Sequence, residues 1–230
     1  MTTVAILQPS YLPWLGYFDQ IARSDVFVFY DDVPFDKHGW RHRNRVKATS
    51  GAVWLSVPIK HAGRTGQRIC DAQIDDQRDW VTKHVATLRQ SYARAPYRDR
   101  YLPQLEEILR HGWTHLVALN LALTEYLMAC LGIATVVHRS SQLGLDGGRS
   151  ERLLAICQRF GAMRYLSGAA ARDYLDVALF ERHGVEVVWQ DYQHPIYRQQ
   201  HGAFVPYLSV VDVLFNMGDE SLAVIRSGGK

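Results

Sequence analysis

The stretch that most limits what this chain can become is its first thirty-two residues. Val4 to Leu7 is a short apolar run without polar alternation, the signature of a strand buried on both faces. Gln8-Pro-Ser-Tyr-Leu-Pro-Trp-Leu-Gly16 follows, where two prolines and a glycine restrict the backbone and large aromatics supply surface. Trp14, Tyr17, Phe18 and Ile21 then recur at helical spacing, and Val26 to Tyr30 reads as a second strand ending on Asp31-Asp32. A strand–helix–strand unit predicts a parallel sheet, with any ligand at the carboxyl edge of its strands. Gln8, Tyr11, Trp14, Tyr17, Asp31 and Asp32 would all fall at that edge. Well-packed corner residues account for the same pattern, and the two readings carry equal weight here.

The carboxyl half repeats the rhythm. Ile133 to His138, Arg164 to Leu166 and Val185 to Trp189 read as strands, separated by helices over Ser150 to Phe160 and Ala171 to His183. Between the halves lie three helices. Val81, His84, Val85, Leu88 and Tyr92 form an apolar stripe on the first, and Pro96 breaks it. Leu102, Leu105, Ile108 and Leu109 mark the second, and Leu116 to Leu131 the third. The expected fold is α/β: a mostly parallel central sheet with flanking helices, Rossmann-like or nucleotidylyltransferase-like. It is read as one unit over 1–230 with a helical insert at about 78–132.

Asp31-Asp32 is followed by a basic segment. Lys37, Arg41, Arg43, Arg45 and Lys47 alternate with His38, Trp40, His42 and Asn44. If residues 41 to 47 are extended, the cations at 41, 43, 45 and 47 share one face. A charged edge strand is the plain explanation; the functional one is a cradle for a phosphate, nucleotide or phosphopantetheine arm. Nucleic acid ranks last, because no second basic-aromatic patch accompanies Trp40. Residues 60 to 68 read as a polar connecting loop, with a lid the less favoured alternative.

Two later strand ends carry polar groups. Ser140-Ser141 closes one strand, and Gly147-Gly148-Arg149-Ser150 leads into the next helix, with Ser150 as its expected cap. The glycine pair with Arg149 could also hold an anion. Ser167-Gly168 ends a further strand on the same edge, without the GxSxG of a nucleophile elbow. The sharpest expectation is that Gln8, Asp32, Arg43 and Ser167 meet in one positively lined pocket.

Ten histidines invite a search for metal ligands, but neither HExxH nor a Cys/His cluster of ligand spacing is present. Asp31-Asp32 could hold a divalent metal, or pair with the downstream cations, or be turn chemistry. A net charge of +3 names no macromolecular partner. Cys70, Cys130 and Cys157, odd in number and without CxxC spacing, fit reduced thiols. Together with an amino terminus lacking a basic n-region and a longest apolar stretch interrupted by polar residues, they predict a cytoplasmic protein without a membrane span.

The motifs Gln8-Pro-Ser-Tyr-Leu-Pro-Trp-Leu-Gly-Tyr-Phe18, Asp31-Asp32, and Trp40-Arg-His-Arg-Asn-Arg-Val-Lys47 resemble those of the WbqC-like proteins. Trp54-Leu-Ser-Val-Pro58, Tyr165-Leu-Ser-Gly168, Tyr174-Leu-Asp176, Leu208-Ser-Val-Val-Asp212 and Phe215-Asn-Met-Gly218 extend the resemblance almost to the end. Members are associated with bacterial surface-polysaccharide (O-antigen) clusters, and a glycyl-type transfer role has been suggested for some. The resemblance therefore implies a transferase moving an aminoacyl or acyl group from an anionic donor to an amine or amino-sugar acceptor. The donor's identity stays open: a nucleotide, coenzyme A or a carrier protein's phosphopantetheine could serve, or no cofactor at all. His38, His42 or His84 would be the general base, since a neutral imidazole suits removal of an amine proton. The alternatives are a metal-dependent nucleotide-sugar glycosyltransferase using Asp31 and Asp32, and a non-catalytic ligand-binding protein. The opening also looks like that of pantoate–β-alanine ligases. Their HxGH histidines are absent where Leu15-Gly16-Tyr17 stands, so chemistry through that motif is not implied.

Overall fold

A computed structural model describes residues 1–61, 63–64 and 66–229. Its centre is a five-stranded, all-parallel sheet. In chain order the strands are β1 (Thr3–Leu7), β2 (Val26–Phe29), β5 (Val136–Arg139), β6 (Arg164–Gly168) and β7 (Glu186–Gln190). They lie side by side as β5-β2-β1-β6-β7. A separate antiparallel hairpin, β3 (Arg43–Ala48) and β4 (Gly51–Ser56), stands outside this sheet. The sheet is α/β and Rossmann-like, as the two βαβ stretches imply.

The first connection, through α1 (Leu15–Ala22), leads from β1 to β2 on one side. The later one, through α6 (Val177–Arg182), leads from β6 to β7 on the other. Between β1 and β6 the chain therefore diverges, which is the switch point where open parallel sheets leave a crevice at their carboxyl ends. β1 is covered on both faces, as its unbroken apolar run requires. Val4 and Ile6 join the layer containing α5 (Arg149–Arg159) and α6, while Ala5 joins the larger core containing α1. That larger core also takes in α2 (Trp80–Ser91), α3 (Arg98–Arg110), α4 (Leu116–Leu131) and α7 (Val210–Met217). The final helix, α8 (Ser221–Ser227), packs on α1.

Three expectations need correcting. The helix read over Ala171 to His183 is two pieces, a 3-10 turn over Ala169–Asp173 and α6, because the Asp176 side chain caps the Leu179 N–H at 3.0 Å and starts a new helix. Ser150 does not cap α5. Gly148 holds the cap position, and its N–H donates to Glu151 Oε2 at 2.9 Å. The strand read to begin at Ile133 begins at Val136, since Gly132 is left-handed at φ 69° and Ile133 N–H bonds back to Met128 O. Of the loop over 60 to 68, residues 62 and 65 lie outside the described residues. No described helix is long and apolar enough to cross a membrane. All three cysteines are free thiols.

Candidate functional site

The loop after β1 is held from several sides. Asn44 Nδ2 donates to Leu12 O at 2.7 Å, Tyr11 N–H to Trp40 O at 3.3 Å, and Val210 N–H to Pro13 O at 2.8 Å. These bonds hold Leu12 at φ 43°, a conformation that costs a non-glycine residue on the order of 1 kcal/mol or more. Trp14 then folds its indole over Gly16, where a Cβ would come within 2.3 Å of the ring. Only glycine leaves room at that position, which explains the Pro-Trp-x-Gly spacing physically.

That loop forms one wall of a cavity of about 560 Å³ at the carboxyl ends of β1, β6 and β7. This is within the usual size of small-molecule sites. Gln8, Trp14, Tyr17, Trp40, Asn44 and Gly168 line it, all candidates from the sequence. Arg41, Arg45, Gln20, Gln190, Tyr192 and Tyr207 line it as well. Among the described residues, the only charged side chains in the lining are Arg41 and Arg45, and neither has a carboxylate within ion-pair distance. Arg41 Nη1 donates to Gln8 O at 3.1 Å, and the same carbonyl accepts Tyr17 O–H at 3.3 Å. Burial pulls the Arg41 guanidinium below its usual pKa and pushes the Tyr17 phenol above its own. A guanidinium stays charged even so, and a buried charge without a counter-ion is costly.

The floor is made of amides whose orientation is set from below. The buried Asp19 carboxylate accepts Gln190 Nε2 at 2.6 Å, and Gly16 O accepts the same nitrogen at 2.8 Å. Gln190 Oε1 must then accept, and it does so from Gln20 Nε2 at 2.6 Å. Gln20 Oε1 is left buried without a partner.

The basic row is real but divided. Arg43, Arg45 and Lys47 share a face of β3, and the irregular segment 191–208 runs beside it. Lys47 Nζ is consumed there by Ala203 O at 2.6 Å and Gln199 Oε1 at 3.2 Å. Arg45 Nη2 reaches Tyr207 O at 3.5 Å. Arg43 turns away, its guanidinium 4.7 Å from the Trp54 ring centre and bonded to His38 O. Carbonyls and indole faces thus separate the cations that would repel one another.

Asp31 and Asp32 do not pair with this row and do not line the cavity. Asp31 is fully buried and accepts Arg139 Nε at 2.9 Å, Ser141 N–H at 3.0 Å and Ser141 Oγ at 2.9 Å. Ser140 Oγ reaches Asp32 at 2.5 Å, and Arg152 is ion-paired to the same carboxyl group. Ser140 and Ser141 are therefore holders of the acid pair rather than an anion site. Among the described residues, no group of three or more His, Cys, Asp or Glu side chains could hold a metal ion.

The other sequence candidates lie elsewhere. Arg149 is exposed at the start of α5, and Ser150 Oγ accepts Asp176 N–H at 3.0 Å. Ser167 is buried and bonds to Tyr165 OH at 3.4 Å. Lys37 and His38 are exposed, with His38 N–H on Asp36 Oδ1 at 2.8 Å. Of Gln8, Asp32, Arg43 and Ser167, only Gln8 lines the cavity.

None of the three candidate histidines lines it. His84 is buried, with Nδ1 2.8 Å from Tyr11 OH. Tyr11 is likewise enclosed rather than open to a ligand. His42 lies tilted against Phe35, 5.5 Å between ring centres. Burial lowers both imidazoles to about 4, so both are neutral at pH 7. Gln190 was legible in principle, as a glutamine directly after an apolar strand on the ligand edge, like Gln8. Tyr207 gave no such signal, because its position depends on a segment without periodicity.

The family model of the WbqC-like proteins matches residues 8–224. The chain belongs to the WbqC-like family. The matched span contains every cavity-lining residue except Leu7. An uncharacterized protein of Mycobacterium tuberculosis, Rv1507c, is 39% identical over 228 residues, covering 98% of each chain. No solved structure matches this WbqC-like chain.

Proposed function

We propose that this WbqC-like protein is a transferase that moves an aminoacyl or acyl group from an anionic donor to an amine, of the kind used in building bacterial surface polysaccharide. The observation that carries the reading is the cavity at the switch point, which among the described residues presents two guanidinium groups and no acid. An anion entering it would supply the missing counter-charge and gain charge-assisted hydrogen bonds. The amides of Gln8, Gln20 and Gln190 border the same space. In the reaction, the acceptor nitrogen attacks the donor's carbonyl carbon and a C–N bond forms. The bond to the leaving group breaks, and the ammonium proton passes to water or to that leaving group. With an activated donor, much of the acceleration can come from holding the two reactants together.

A second reading, a non-catalytic ligand-binding protein of the same pathway, is favoured by the absence of Asp, Glu, His, Cys and Lys from the lining among the described residues. The metal-dependent glycosyltransferase reading draws no support from Asp31 and Asp32, whose oxygens are engaged by Arg139, Arg152, Ser140 and Ser141.

A thermal-shift screen of the purified chain against nucleotides, coenzyme A and acyl donors, followed by mass analysis of an amine acceptor, tests these readings. A donor that raises Tm and acylates the amine supports the transferase. A donor that raises Tm without turnover supports the binding protein. No stabilisation by any anion refutes both.

A further inference from the structure

Two exposed aromatic residues flank Arg45 at the mouth of the cavity. Trp40 is 42% exposed and Tyr207 49% exposed, and both contribute to the lining. The Arg45 guanidinium lies 5.7 Å from the Trp40 ring centre and donates to the carbonyl of Tyr207. Isolated surface aromatics need no explanation, but these two share one arginine and one cavity. Tyr207 is moreover held at φ 58°, a left-handed backbone that disfavours an aromatic side chain. The adjoining chain is tied down by Ser209 N–H to Arg45 O at 2.9 Å and by the Trp14–Ser209 bridge. A strained residue fixed in this way at a cavity mouth is a pointer to function.

We infer that the cavity takes the nucleoside 5′-diphosphate part of one reactant, with the phosphates on Arg41 and Arg45 and the base against Trp40 and Tyr207. The inference rests on the anionic-donor reading above and narrows it to a ligand class. Guanidinium groups match phosphate oxygens in fork geometry, and bases of any sequence stack on aromatic faces. Coenzyme A thioesters carry this moiety as acyl donors and nucleotide-linked amino sugars carry it as amine acceptors, so the chemistry is shared by two sources.

Calorimetry on the full chain with inorganic pyrophosphate, ADP, UDP and coenzyme A separates the possibilities. ADP or UDP should bind at least about tenfold more tightly than pyrophosphate, as stacking of a base on an aromatic side chain implies. Arg45→Gln should weaken pyrophosphate and nucleotides alike. Tyr207→Gly removes the ring while suiting the positive φ, so Tm should hold or rise as nucleotide affinity falls about tenfold and pyrophosphate affinity stays. Tight UDP binding would point to a nucleotide-linked amino-sugar acceptor, and tight ADP and coenzyme A binding to a thioester donor. Equal affinity for pyrophosphate and nucleotides, or Tyr207→Gly leaving nucleotide affinity unchanged, overturns the inference but spares the anionic-donor reading. Absence of binding by all four probes, together with no response to other anionic donors, overturns both.

Discussion

Replacing His84 with Gln should flatten the acid side of the protein's stability curve. The His84 imidazole is buried and neutral in the fold, its Nδ1 2.8 Å from the Tyr11 hydroxyl and Trp80 edge-on at 5.2 Å between ring centres. Its pKa falls from 6.5 to about 4 on folding. A histidine depressed in this way protonates first in the unfolded chain. The fold keeps its full advantage above pH 6.5 and loses it progressively as pH drops toward 4. The linkage integral from a single site with those two values gives a loss of about 2 kcal/mol between pH 7 and pH 5. Burial lowers His42 and His194 too, so the wild-type slope has several contributors. The difference between wild type and His84→Gln isolates one of them. Urea unfolding at pH 7, 6 and 5 measures it: the wild type should lose about 2 kcal/mol more than the variant over that range. Parallel stability lines for the two proteins would refute the argument. The variant should also keep its ligand affinity, since His84 lies outside the cavity, and a large loss there would restore His84 as a candidate base.

Asp31→Asn removes the charge beneath Arg139 and two serine donors and should destabilise by about 3 kcal/mol in chemical denaturation, while magnesium and manganese leave the Tm of the wild type unchanged. Gly16→Ala places a methyl group 2.3 Å from the Trp14 indole, so the ring must move; a loss of about 1–3 kcal/mol and a changed tryptophan emission spectrum are expected. Lys47→Met strands the carbonyl of Ala203, which now accepts Nζ at 2.6 Å. Hydrogen exchange and proteolysis should accelerate around residues 199–205, with a stability cost of about 1–3 kcal/mol.

The β1–α1–β2 unit was legible because its evidence is local: an apolar run, restrictive loop residues and a helical stripe within thirty residues. The long helix Leu116–Leu131 was legible for the same reason, with its left-handed stop at Gly132. The hairpin partner of Arg43–Ala48 was only half visible: the β-rich run from Val53 to Ile59 predicts a strand, offset from the observed Gly51–Ser56, without saying which sheet it joins. Cavity residues were recovered where they followed a strand or sat in the proline-rich loop, as Gln8, Trp14 and Tyr17 did. Tyr192 and Tyr207 were missed because the segment between β7 and α7 has no period from which to infer a face.

The sequence alone determined that this is a parallel α/β chain whose amino-terminal loop stands at the ligand edge, since hydrophobic period and turn chemistry are properties of neighbouring residues. Only the tertiary structure decided which charges stay unpaired. Asp31 and Asp32 meet Arg139, Ser140, Ser141 and Arg152 from more than a hundred residues away. Lys47 Nζ is taken up by the oxygens of Gln199, Gly202 and Ala203, which arrive with segment 199–203, while Arg41 and Arg45 are left facing the crevice. A charge's function depends on whether a partner reaches it, and that partner is chosen by how the chain packs.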